Sequence, residues 1–151
     1  TTEELFKFLA VLVVLYKTNY TDEPIDWPIY LITAALGFAA LENALFLIKP
    51  LSVGQNTVGL LTGQLRFLGS TLLHTVSSGI LGIGLGISLK LEGFKKIWHV
   101  FIGLVFAIAL HNVFNFFIIK NDGNDFLQAF GFLWVVTIIV LLLFEKVRRM
   151  T

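Results

Sequence analysis

Runs of about 20 apolar residues recur along this chain, each long enough to carry a helix across the roughly 30 Å hydrocarbon core of a bilayer. Residues 28–48, 66–89, 98–120 and 126–144 are such runs, and residues 2–16 form a shorter one. In hydrocarbon every backbone N–H and C=O must find its partner within the protein, so only helices and closed barrels can span. Barrel strands alternate apolar and polar residues, whereas these runs are continuous. The sequence therefore predicts an all-α fold, a polytopic transmembrane helix bundle of about five spans in an integral membrane protein. A charged fraction of 14% fits that reading, since a soluble domain has about 25%. The mean hydropathy of +0.85 fits it too.

The net charge of +1 comes without a basic patch interleaved with aromatics, so no nucleic-acid partner is indicated and the lipid bilayer is the expected surrounding. The absence of cysteine excludes disulfides, a thiol nucleophile and thiolate metal ligands. Residues 1–151 read as a single transmembrane domain. From Glu3 to Tyr16 a helix covers about 20 Å, short of the hydrocarbon core. With no initiator Met either, more helix is expected before Thr1.

Connections between spans are short except at residues 49–65 (KPLSVGQNTVGLLTGQL), rich in Gly, Asn, Gln and Thr. This stretch is expected to be a loop, with a re-entrant flap or substrate-contacting lid as the sharper alternative. On the side reached by the start of span one lie Lys49, Arg66 and Lys120; on the other lie Lys17, Lys90, Lys95, Lys96, Lys146, Arg148 and Arg149. Positive charge marks the cytoplasmic face. The start of span one is therefore expected at the extracytoplasmic face. Tyr16, Tyr20, Trp27, Tyr30 and Trp98 gather on the basic side, as an interfacial aromatic belt does. Ser78, Gly82 and Gly86, spaced by four, predict close helix packing.

Against this apolar background stand Glu3, Glu4, Glu42, His74, His111 and Asn115. Ionisable groups inside a membrane are costly and mark functional sites by default. At about 1.5 Å rise per residue, Glu42 and His111 lie roughly 20 Å from the basic side, and His74 and the Glu3–Glu4 pair roughly 18–20 Å. All fall in one layer nearer the extracytoplasmic face. The other half of spans two and four is almost wholly apolar. A transporter or channel needs access from both faces; a hydrolase needs only a blind pocket that admits water. A transporter or proton relay using Glu42, His74 and His111 is the alternative, and a non-enzymatic scaffold a third.

Lys7 lies one turn from both Glu3 and Glu4, so one carboxylate can pair with it and the other stay available as a base. His111 and Asn115 are four apart and share a face, where they can act together as oxyanion donors, or the imidazole can bind metal. The motifs Glu-Glu-x-x-Lys (Glu3, Glu4, Lys7), Phe-Ala-x-x-Glu-Asn (Phe38, Ala39, Glu42, Asn43), Arg66 ahead of His74, and His-x-x-x-Asn (His111, Asn115) follow in order, one to a span. Together they resemble the PrsW family of intramembrane proteases, relatives of the type II CAAX prenyl endopeptidases and their bacterial homologues. Against the CAAX pattern, Glu42 stands where a His is usual and Lys7 replaces a later Arg. That favours the PrsW branch over a CAAX-type prenyl-protein endopeptidase, which stays an alternative.

The resemblance implies an intramembrane peptidase in a prokaryotic cell membrane. Its substrate would be a membrane-anchored protein, with anti-sigma factors as one such class. On this reading Glu3 or Glu4 activates water, His74 and Glu42 orient it or bind metal, and His111 and Asn115 stabilise the oxyanion; Lys7, Asn43 and Arg66 support them. The cofactor is either none or zinc, with His74, His111 and Glu42 as the metal candidates. A metal-free glutamate mechanism is preferred, because Asn115 is a poor zinc ligand and a good oxyanion donor.

Overall fold

The computed structural model describes the backbone of residues 2–15, 18, 20–52, 54, 56–120 and 126–150, and the side chains of all these except 49–51, 56–66, 117–120 and 126. Among the described residues five helices follow in order: α1 (Thr2–Leu15), α2 (Asp26–Ser52), α3 (Asn56–Ser88), α4 (Gly93–Lys120) and α5 (Phe126–Arg148). Four contain a stretch long and apolar enough to cross a bilayer: Asp26–Ile48, Phe67–Ser88, Gly93–Phe116 and Leu127–Arg148. The multi-pass helical bundle expected from the apolar runs is the fold found. Helix α1 differs from the other four: its 14 residues carry Glu3, Glu4 and Lys7 and cover about 21 Å.

Helix α2 begins before the apolar run does. Pro24 sits where a missing N–H costs nothing, and the Asp26 carboxylate accepts a hydrogen bond from the Glu23 backbone N–H at 2.9 Å. Pro28 then falls in the first turn of α2, where proline is tolerated.

The expected loop at residues 49–65 is mostly helix instead. Helix α2 continues to Ser52 and α3 starts at Asn56, around a turn at Gly54 whose φ of +75° suits glycine. Glycine and polar amides weaken a helix in water, but they also recur at helix ends and packing faces of membrane bundles, so composition misplaced this boundary.

Helix α3 is the axis of the bundle, packed on α2, α4 and α5 and touching α1. Of its apolar stretch 67% is buried, against 17% to 28% for the others. Small residues make that possible. A Cβ on Gly82 would lie 2.5 Å from Pro28 Cα, and one on Gly84 would lie 3.0 Å from the His99 carbonyl oxygen and 3.2 Å from Gly103 Cα. Gly86 lies against the Pro24 carbonyl in the same way. Gly82 and Gly86 thus do the packing their spacing predicts.

The large apolar side chains point outward. Phe6, Val13, Leu41, Phe106, Trp134 and Leu142 are all exposed, as expected of a surface that faces lipid rather than water. Inside, Val11, Leu31, Leu81, Leu85 and Ala107 form an apolar core where α1–α4 meet, with Phe8, Trp27, Tyr30 and Leu104 packed against it.

Candidate active site

Above that apolar core the polar residues converge. Helix α1 brings Glu3, Glu4 and Lys7; α2 brings Glu42; α3 brings His74; α4 brings His111. Glu4, Lys7, His74 and His111 are buried, whereas Glu3 and Glu42 keep 36% and 31% of their side chains exposed. The cluster is therefore reached from the Glu3 and Glu42 edge.

The two adjacent glutamates have opposite surroundings. Glu4 Oε1 accepts from Lys7 Nζ at 2.6 Å and from the Ser77 hydroxyl at 3.0 Å, and its Oε2 accepts from the Ser78 hydroxyl at 2.8 Å. The His111 Nδ1 also approaches Glu4 Oε1, at 3.3 Å. Glu3 Oε2 lies 3.2 Å from His111 Nε2, yet off the direction of a hydrogen bond, and it is buried without a hydrogen-bond partner among the described residues.

Lys7 has a partner for each of its three protons: Glu4 Oε1, His74 Nδ1 at 2.7 Å, and the face of Phe38, whose ring centre is 5.0 Å away. An ammonium can only donate, so His74 Nδ1 is the acceptor. The His74 proton is then on Nε2, which donates to Glu42 Oε2 at 2.8 Å. A neutral His111 that donates to Glu4 through Nδ1 keeps its lone pair on Nε2. The imidazole rings lie side by side, with centres 5.1 Å apart. Two acceptors, Glu3 Oε2 and His111 Nε2, thus face one small volume that calls for a proton donor or a cation.

Three side chains among the described residues offer atoms that could hold a metal ion. Ligand atoms of Glu3, His74 and His111 all lie within 4.8 Å of one another, and two imidazoles with one carboxylate suit catalytic zinc. The sequence pointed to Glu42 as the carboxylate of that set. Glu42 instead accepts from His74 Nε2 and from the Ser70 hydroxyl at 3.1 Å, and Glu3 takes its place. Asn115 is exposed, one turn beyond the buried His111, and makes no hydrogen bond to a described residue. Asn43 joins α2 to α3 through Nδ2 to Thr71 Oγ1 at 3.2 Å. The Arg66 side chain lies outside those described.

Sequence reasoning missed Ser70, Ser77 and Ser78. A signal for them existed: they stand at −4, +3 and +4 from His74, on the same face of α3. Ser78 was expected to serve packing alone; it also supplies a hydrogen bond to Glu4.

Comparison with known proteins places this geometry in context. The family model described as PrsW family intramembrane metalloprotease matches residues 1–143. The curated Protease PrsW of Oceanobacillus iheyensis is 28% identical over 149 residues, 99% of this chain and 65% of that protein. The Protease PrsW of Shouchella clausii is 27% identical over 150 residues, with the same coverage of 99% and 65%. That of Geobacillus kaustophilus is 28% identical over 120 residues, 80% of this chain and 49% of the relative. The chain thus spans about two-thirds or less of the length of these relatives, 65% at most. No solved structure matches it.

Proposed function

The chain belongs to the PrsW family of intramembrane proteases, and from that premise we propose that it hydrolyses a peptide bond of a membrane-anchored protein within the bilayer. The substrate binds near the extracytoplasmic face, at the edge where Glu3 and Glu42 are exposed. The single observation that carries this reading is the pairing of Glu3 Oε2, buried and without a hydrogen bond, with the Nε2 lone pair of His111 at 3.2 Å. Two bases facing one volume are what a reacting water needs.

In this reaction Glu3 is the base. It draws a proton from water, whose oxygen attacks the scissile carbonyl carbon. The proton then passes to the departing amide nitrogen, directly or by way of His111 Nε2. Glu4 is no base, because Lys7, Ser77 and Ser78 occupy its oxygens; it holds His111 in its tautomer. Glu42 holds His74 in the same manner from the opposite side. Asn115, exposed one turn beyond His111 on α4, serves as the oxyanion donor.

The residues fit a zinc ion, with Glu3, His74 and His111 to hold it. For His74 to take part through Nε2, that nitrogen would pass its proton to Glu42 Oε2, 2.8 Å away. Zinc, when bound, polarises the carbonyl and lowers the pKa of bound water.

The apolar core of Val11, Leu31, Leu81, Leu85 and Ala107 lies on the basic side of the cluster. It favours a blind pocket over a pathway, and so a hydrolase over a transporter. Anti-sigma factors anchored in a bacterial membrane are the substrate class the family suggests. The test is to compare membrane proteomes of cells carrying the native or the Glu3→Gln protein. A single-span protein should accumulate uncut in the variant. Identical proteomes count against a protease.

A further inference from the structure

Small hydroxyl residues inside a membrane helix normally bond to their own backbone, and several do so here. Thr33 donates to the Ile29 carbonyl, Thr75 to Thr71, Thr137 to Leu133 and Ser88 to Leu85, each at 2.6–2.8 Å. That bond needs no partner helix and leaves the hydroxyl satisfied. Ser77 and Ser78 behave differently. Ser78 sends its hydroxyl across to Glu4 Oε2 at 2.8 Å, and Ser77 reaches Glu4 Oε1 at 3.0 Å, closer than the 3.3 Å to its own-helix acceptor, the His74 carbonyl. Neither serine has any exposed surface, and neither has Glu4. Water cannot replace a lost hydroxyl there.

We propose that Ser77 and Ser78 are positioning residues of the site: together they fix both oxygens of Glu4, and through Glu4 they fix the ring of His111. Each carboxylate oxygen has one serine, so the carboxylate plane cannot turn without losing one of them. Lys7 binds only Oε1 and cannot set that plane alone. With the plane set, Oε1 faces His111 Nδ1. The proton stays on Nδ1 and the Nε2 lone pair stays aimed at Glu3 Oε2. Serines on α3 thereby control a histidine on α4 through a glutamate on α1. The consequence for catalysis rests on the reading of Glu3 and His111 proposed above; the consequence for the His111 ring does not.

The test uses the full-length protein, labelled with 15N in histidine and reconstituted in liposomes. The chain has three histidines, and His99, bonded to the Lys95 carbonyl, serves as an internal reference. The native spectrum should show His111 protonated on Nδ1. In the double variant Ser77→Ala/Ser78→Ala, His111 should become a mixture of tautomers while His99 stays unchanged. Ser78→Thr, which keeps the hydroxyl, should restore the native His111 signal.

On a single-span reporter that the native protein cuts, the double variant should lose about 10- to 100-fold in kcat, the worth of hydrogen bonds to a charged group. Its KM should stay within about twofold, because no substrate contact has changed. An Nε2-protonated His111 in the native protein overturns the proposal whether or not any variant folds. So does a folded double variant whose His111 signal and kcat both match the native. Glu3→Gln separates the two readings: if it still cuts the reporter, the proposed base is wrong, while the His111 spectra still decide the role of the serines.

Discussion

Lys7→Met removes the one ammonium inside the site while keeping a chain of similar length and apolar character. Lys7 is 3% exposed, donates to Glu4 and His74 at 2.6 and 2.7 Å, and lies over the Phe38 ring. Its loss leaves a buried Glu4 carboxylate without a counter-charge, and breaking one side of a buried ion pair costs about 3–5 kcal/mol. The lost contact with Phe38 adds about 0.5–2 kcal/mol. The methionine stem recovers some packing, so a net loss of about 3–5 kcal/mol is expected. The assay is reversible unfolding in mixed detergent micelles followed by circular dichroism. A second variant, Lys7→Met/Glu4→Gln, removes the orphaned charge and should regain about 2 kcal/mol or more of that loss, a strong coupling between the two sites. A Lys7→Met protein within about 1 kcal/mol of native, or a double variant no more stable than the single one, refutes the assignment of Lys7 and Glu4 as a buried pair.

Three further outcomes follow from the same geometry. Gly82→Ala should destabilise the bundle by about 1–3 kcal/mol, because its Cβ meets the Pro28 backbone. Gly37→Ala, which meets nothing within 4 Å, should be neutral or stabilising by up to about 1 kcal/mol in the same unfolding assay. The chain has no native cysteine, so a cysteine at Ser52 should react with an impermeant maleimide on intact cells, and one at Glu92 only after permeabilisation; the reverse labelling overturns the orientation. Zinc bound by the purified protein, measured by elemental analysis after equilibrium dialysis, should fall to background in His111→Ala and persist in Glu42→Gln, since Glu42 stands outside the convergent donor set.

Much of the fold follows from the sequence alone, because spanning a bilayer leaves few options. Apolar runs of the right length match the four bilayer-crossing stretches closely, and Pro28 falls in the first turn of α2. The end of α2 and the beginning of α3 escaped, since the glycines and amides of residues 49–65 look like a loop in any scale tuned to water. The layer of ionisable residues was legible for a geometric reason: helix rise alone fixes depth. Azimuth was not. Adjacent residues on a helix differ by about 100° in direction, so Glu3 and Glu4 look alike in sequence, although one faces two serines and a lysine and the other faces an open volume. His111 and Asn115 share a helical face, yet one is buried and the other exposed, which depends on where the neighbouring helices end. Ser77 and Ser78 were hidden because serine in a helix usually satisfies itself.

The division of labour between the two glutamates is the centre of the account, and one paired measurement tests it. Glu3→Gln and Glu4→Gln are made in the full-length protein, and each is assayed for unfolding stability and for cleavage of a single-span reporter. Glu3→Gln should keep native stability to within about 1 kcal/mol, because its buried Oε2 makes no hydrogen bond to a described residue. Its turnover should fall by about 100-fold or more. Glu4→Gln should lose several kcal/mol of stability, as it strands the Lys7 ammonium. A stable Glu4→Gln protein that cannot cut, beside a Glu3→Gln protein that still does, would reverse the two roles and contradict the account.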